Sequence, residues 1–345
     1  MKTIGKQLSD IGLIPIITLE NALDARPLAR ALLAADIPVV EFTFRSGACL
    51  EAIQILNDEF PQMIVGAGTV LTPEQARQAA NAGARFLLSP GFNPGVVSCC
   101  LDEGITIIPG VCTPTQVELA LETGLDTLKF FPAEASGGVD YLESMAAPFP
   151  GTRFVATGGI RNENLADYFA SSFIAACGGS WIADRMLVAE GRFDEITRRA
   201  KEAVRTMLGI RLECILLPDK DDGNSLPGTL FSDIIDTPLV RLDSQTRDAV
   251  SVSTGENLYD PLFSPDNEKT TDYGTIIFST PDAGKVALFM ERRGIACERG
   301  GEDRFSGAPF LRLKGSYAGH SVIFVERKRP MYGSVKPGQT SLTHP

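Results

Sequence analysis

Between Ile14 and Leu208, short apolar runs alternate eight times with stretches of helical period, at about 25 residues per unit. The predicted strands are 14–17, 39–44, 63–67, 85–88, 106–108, 127–131, 153–156 and 173–177, and they are apolar almost throughout. A strand without polar alternation is buried on both faces, which points to a parallel sheet covered by helices. The intervening stretches, such as 22–35 and 73–82, carry start signals: Thr72-Pro73-Glu74 and Thr113-Pro114-Thr115 place a capping hydroxyl before a proline in the first turn. Eight such units favour an α/β fold of the closed (β/α)8, or TIM, barrel type over an open doubly wound sheet. Gly66-Ala67-Gly68-Thr69-Val70-Leu71 lacks the third glycine of a dinucleotide-binding loop and is rejected as one.

Composition narrows the partners. The formal net charge of −11 argues against nucleic acid and against an anionic membrane surface. No apolar run approaches the roughly 20 residues of a membrane span, and the opening Met1-Lys2-Thr3-Ile4-Gly5-Lys6 has no signal-peptide core. The seven cysteines are scattered through apolar contexts, which fits reduced thiols and a cytoplasmic location, with Cys99-Cys100 as core packing. The two histidines, His320 and His344, both lie beyond residue 209, so chemistry in the repeats must use Lys, Glu, Asp or Tyr.

One of those groups is conspicuous. Up to Gly209 the chain has four lysines, and Lys129 alone lies mid-chain, inside the apolar run Thr127-Leu128-Lys129-Phe130-Phe131-Pro132. A buried ammonium is costly unless paired, and burial favours the neutral amine, a nucleophile toward carbonyls. The bland alternative is a lysine that reaches solvent or pairs with a carboxylate. Its surroundings weigh against that. Glu41, Thr43 and Arg45 alternate along the second strand and share a face, with Val40, Phe42 and Phe44 on the other. Several charges inside one small barrel stabilise less than apolar packing would, so they favour function over a structural ion pair. The last two strand ends carry Thr157-Gly158-Gly159 and Gly178-Gly179-Ser180, backbone suited to cradling a phosphate beside helix N-termini. An amine, a carboxylate and a phosphate cradle together suit a metal-free Schiff-base reaction on a phosphorylated keto compound.

The motifs Val40-Glu41-Phe42-Thr43-Phe44-Arg45, Val65-Gly66-Ala67-Gly68-Thr69-Val70, Ser89-Pro90-Gly91, Lys129-Phe130-Phe131-Pro132-Ala133-Glu134, Thr157-Gly158-Gly159-Ile160 and Gly178-Gly179-Ser180-Trp181 follow one another in order. Over residues 1–208 the chain thereby resembles the class I aldolases of 2-keto-3-deoxy-6-phosphogluconate (KDPG) and 2-keto-4-hydroxyglutarate. That resemblance implies a homotrimer of (β/α)8 barrels, no cofactor and a phosphorylated keto acid as substrate. It implies that Lys129 forms the Schiff base and that Glu41 shuttles protons. Arg45 and Thr69 would hold the pyruvyl carboxylate or nearby oxygens, Pro90 would shape the wall and Phe131 would contact substrate. Gly158, Gly159, Gly179 and Ser180 would take the phosphate. Carbohydrate breakdown of the Entner–Doudoroff type follows as the expected setting. The alternatives are a noncatalytic phosphometabolite-binding regulator, a barrel enzyme of another class such as an isomerase, and the enzyme specific for the galactonate epimer.

The resemblance stops near Leu208. Residues 209–330 read as a smaller α+β domain, with strands at 212–217, 274–278, 309–313 and 321–326 and a helix at 282–293 ended by Gly294. Residues 217–228 and 257–273 read as loops and 331–345 as a flexible tail. The order strand, helix, strand, strand resembles half of a vicinal-oxygen-chelate module, for which His320 and Glu326 are candidate metal ligands. A role in assembly or small-molecule sensing is favoured over a metal site there.

Overall fold

In a computed structural model of the protein, the described residues are 3–218, 239–241, 249–253, 275–302, 309–314 and 321–326. The chain divides into two compact units, Met1–Gly209 with Ala287–Gly294, and Ile210–Val286 with Ile295–Pro345.

The first unit is built on parallel strands. From β1 (Leu13–Ile17) the sheet runs one way through β2 (Val39–Thr43), β3 (Ile64–Gly68), β4 (Phe86–Leu88) and β5 (Ile107–Ile108). It runs the other way through β9 (Ile174–Gly179), β8 (Arg153–Thr157), β7 (Thr127–Phe130) and β6 (Gly110–Val111). The two ends of this order are halves of one stretch separated only by Pro109. The ring therefore closes as the eight-unit barrel, and the open sheet is excluded. Pro109 has no N–H to give a ladder, but its carbonyl accepts a hydrogen bond from the Lys129 backbone N–H at 2.9 Å.

Helices α1 (Ile4–Ile11), α2 (Ala25–Leu33), α3 (Cys49–Glu59), α4 (Pro73–Asn81), α5 (Pro94–Asp102), α6 (Pro114–Glu122), α7 (Gly138–Ala146), α8 (Asn162–Ala170), α9 (Arg185–Ala189) and α10 (Phe193–Leu208) accompany the strands. Their starts follow local chemistry. The Thr72 and Thr113 hydroxyls accept from the backbone N–H groups of Gln75 and Gln116, with prolines in both first turns. The stretch 22–35 divides into a 3-10 turn, Ala22–Asp24, and α2, because Asn21 caps the first by accepting from Leu23 N–H at 3.1 Å. In α2, Leu28 and Leu32 are fully buried one turn apart, each contributing about 1.5–3 kcal/mol of apolar burial. Cys99 and Cys100 are buried, as expected of core packing.

The second unit holds a mixed sheet in the order β11-β12-β10-β13-β16-β15-β14. Its members are β10 (Arg211–Pro218), β11 (Leu239–Arg241), β12 (Ala249–Ser253), β13 (Thr275–Thr280), β14 (Cys297–Glu302), β15 (Pro309–Leu313) and β16 (Ser321–Glu326). The unit also includes the start of a helix, Ala283–Arg292, whose residues from Ala287 on belong to the first unit. β13 and β16 pair in parallel, which sets Phe278 beside Phe324 with ring centroids 5.3 Å apart. Asp282 caps the helix through Lys285 N–H at 2.9 Å, and the Glu326 carboxylate accepts from Ala283 N–H at 3.2 Å. The sequence reading missed β11, β12 and β14. Cys297-Glu298-Arg299-Gly300-Gly301-Glu302 has one apolar residue, and its antiparallel partner β15 makes it a strand. The predicted strand 212–217 is β10, which runs one residue further at each end, so Pro218, read as loop, belongs to it. His320, His344, residues 219–228 and 257–273 and the tail lie outside the described residues. Among the described residues no cluster of His, Cys, Asp and Glu is arranged to hold a metal, and no helix is long and apolar enough to cross a membrane.

Candidate active site

Strand alternation sorts the second strand into two faces. Val40 and Phe42 are buried on one, and Glu41 and Thr43 on the other. The Glu41 carboxylate fits there because residue 68 is glycine: a Cβ at Gly68 would collide with Glu41 Oε1. Register places Glu41 beside Gly66 of β3 and Ile16 of β1. Lys129, on β7 beside Gly110, is 6 % exposed and Glu41 1 %. Their charged atoms lie 3.8 Å apart, Nζ to Oε1. The ammonium also sits 5.3 Å from the centre of the Phe131 ring.

Electrostatics divide the pair's roles. Burial pushes the Glu41 pKa up, and the positive charges of Lys129 and Arg45 pull it only partly back. Glu41 Oε2 is buried with no hydrogen-bond partner. A carboxylate so placed holds a proton more readily than an exposed one, as a group that both takes and returns protons requires. Cys49, close to the same carboxylate, is held as an inert thiol, its pKa pushed up to about 12 by burial and then by Glu41.

A cavity of about 1260 Å³ opens over this pair. Its wall brings together every residue that the family resemblance assigned to the site: Lys129, Glu41, Arg45, Thr69, Pro90, Phe131, Gly158, Gly159, Gly179 and Ser180. Thr69 adopts a left-handed backbone, φ 59°, at the end of β3. The turn beyond β8 needs its glycines, with φ 95° at Gly158 and 86° at Gly159. It is pinned from the β7 side by Ala133 N–H to Thr157 O at 2.8 Å and Glu134 N–H to Gly158 O at 3.0 Å.

Sequence reasoning gave no role to Thr157, Thr18 or Trp181, which line the same cavity. Thr157 Oγ1 is buried without a hydrogen-bond partner, as is Trp181 Nε1. Thr18 and Thr43 hydroxyls bond to each other at 2.8 Å. The signal for Thr157 was its position, the last strand residue before Gly158. Thr18 had none, since it follows an apolar run and precedes another leucine.

Residues 4–199 match the family model for KDPG and KHG aldolase. The chain belongs to that family. It is 46 % identical over 205 residues to a 2-dehydro-3-deoxy-phosphogluconate aldolase of Treponema pallidum, covering 59 % of this chain and 98 % of that one. It is 39 % identical over 204 residues to the KHG/KDPG aldolase of Escherichia coli K12, covering 59 % and 96 %. Among solved structures it resembles the KDPG aldolase of Legionella pneumophila with pyruvate captured as a covalent carbinolamine intermediate, at TM-score 0.57 and 35 % identity, covering 59 % of this chain and 99 % of that one. This family member carries its second unit beyond the span the family model matches.

Proposed function

We propose that the chain is a Schiff-base aldolase that cleaves 2-keto-3-deoxy-6-phosphogluconate to pyruvate and glyceraldehyde 3-phosphate. The same site suits 2-keto-4-hydroxyglutarate, which yields pyruvate and glyoxylate. The observation that carries this reading is a buried amine, Lys129, 3.8 Å from a buried carboxylate whose affinity for protons is raised.

Glu41 takes the proton from the Lys129 ammonium, and the free amine adds to the keto carbon C2. Glu41 returns the proton to the carbinolamine oxygen, which leaves as water, and a protonated imine remains. Loss of the C4 hydroxyl proton to Glu41 then breaks the C3–C4 bond. Its electron pair flows into the iminium to give an enamine, and C4 departs as an aldehyde. Protonation at C3 and addition of water release pyruvate and regenerate Lys129. The sequence needs no metal, because the iminium is the electron sink.

Arg45 and Thr69 are assigned to the pyruvyl oxygens, Pro90 and Phe131 to the wall, and Gly158, Gly159, Gly179 and Ser180 to the phosphate. The unpaired hydroxyl of Thr157 supplies a further polar contact to the bound substrate. The family likeness supports a cytoplasmic homotrimer, which light scattering on the purified full chain would test.

Incubating the full chain with pyruvate and borohydride should fix one pyruvyl unit on the Lys129 peptide, read by mass spectrometry. Lys129→Ala should lose both the adduct and pyruvate release from the phosphorylated substrate. No adduct in the unmodified protein, or full turnover by Lys129→Ala, overturns the assignment.

A further inference from the structure

The mouth of the cavity carries an ion pair that the reaction does not use. Arg185 opens α9, five residues beyond Ser180, and its guanidinium meets the Glu20 carboxylate at 2.5 Å. Both side chains line the cavity, yet they are 67 % and 59 % exposed, in contrast to the buried Lys129 and Glu41. They stand on the phosphate side of the ring. Glu20 follows β1, which pairs with β9 through Pro15 and Gly179, and β9 pairs with β8 through Gly178 and Thr157. The Gly179-Ser180 end is therefore next to the strand that leads to Glu20, and the Gly158-Gly159 end is one strand further on.

Each of the two acids at this part of the rim faces an arginine. Asp184, the neighbouring acid on the wall, is engaged by Arg199 at 2.9 Å and also caps α9. Arg185 is left to Glu20. An exposed pair of this kind is weak and readily exchanged, whereas a guanidinium binds a phosphate dianion through two parallel hydrogen bonds. A phosphate arriving at the glycine turns competes directly with Glu20 for Arg185, and meets repulsion from Glu20 until the exchange is made.

We infer that Glu20 and Arg185 are a specificity-determining pair: Arg185 binds the distal phosphate, and Glu20 is a built-in competitor that weakens that binding and keeps the site open to unphosphorylated substrates. The substrate half of this inference rests on the aldolase reading. The anion half does not, so two assays separate them.

In the first, inorganic phosphate is titrated into the full chain while the fluorescence of Trp181, which lines the same cavity, is followed. Glu20→Gln should tighten phosphate binding about two- to five-fold, the scale of an exposed pair. Arg185→Gln should weaken it about ten-fold. In the second, the ratio of kcat/KM for 2-keto-3-deoxy-6-phosphogluconate to that for 2-keto-4-hydroxyglutarate should rise in Glu20→Gln and fall in Arg185→Gln. Unchanged phosphate affinity in both variants, or weaker binding in Glu20→Gln, overturns the pair's role whether or not the protein turns over. Absence of a Lys129–pyruvate adduct, with phosphate binding shifted as stated, overturns the aldolase reading alone. Both side chains are largely exposed, so neither exchange endangers the fold.

Discussion

Glu41 is held in a place that suits its neutral form, with one oxygen facing Lys129 and the other facing no donor. Because burial raises its pKa from the ordinary 4.5, the acid limb of kcat/KM should lie above that value, and a pH–rate profile will locate it. The same shift fixes a sign for stability. The folded protein binds the Glu41 proton more tightly than the unfolded chain, so this contribution is full below the unfolded pKa and is lost as pH rises through the raised folded value. Urea unfolding across that window should show a falling stability that Glu41→Gln lacks. The charged members of the site were legible in sequence because cost betrays them: a lysine in an apolar strand and a glutamate in strict alternation have no cheap structural reason. Thr18 and Thr157 were not, since threonine is at home in strands and a hydroxyl costs little to place.

At the scale of elements, the Gly158-Gly159 turn depends on a brace from behind. The Tyr168 hydroxyl on α8, fully buried, donates to Glu134 Oε1 at 2.6 Å, and burial followed by this bond pushes the phenol pKa up so that it stays a donor. Glu134 in turn ties its backbone to Gly158, and its side chain fills the space a Cβ on Gly159 would take. Tyr168→Phe should cost about 1–2 kcal/mol in urea denaturation, the worth of one hydrogen bond to a charged group that is partly in water. It should also raise KM for the phosphorylated substrate more than it lowers kcat. The repeat of strands and helices was readable because caps such as Thr72 and Thr113 act within four residues. Strand β14 was not, because only its partner across the sheet makes a strand of so polar a segment.

At the scale of the whole molecule, the two units have separate sheets. The single tryptophan of the chain, Trp181, lies in the first. Its fluorescence should therefore report barrel unfolding alone, and a urea midpoint differing from that of far-UV circular dichroism is the expected result for two units of unequal stability. Coincident curves would mean that they melt as one. The barrel has a consequence of its own for how the protein comes into being. Its ring is completed at Pro109, and the carbonyl that completes it holds the backbone of Lys129. Until the seam is shut, Lys129 lacks its neighbour Gly110 and the burial that the closed ring gives it. Under the aldolase proposed above, the amine meets Glu41 only in the closed ring, so a half-folded chain would carry no competent site and its maturation would need no separate inhibitor.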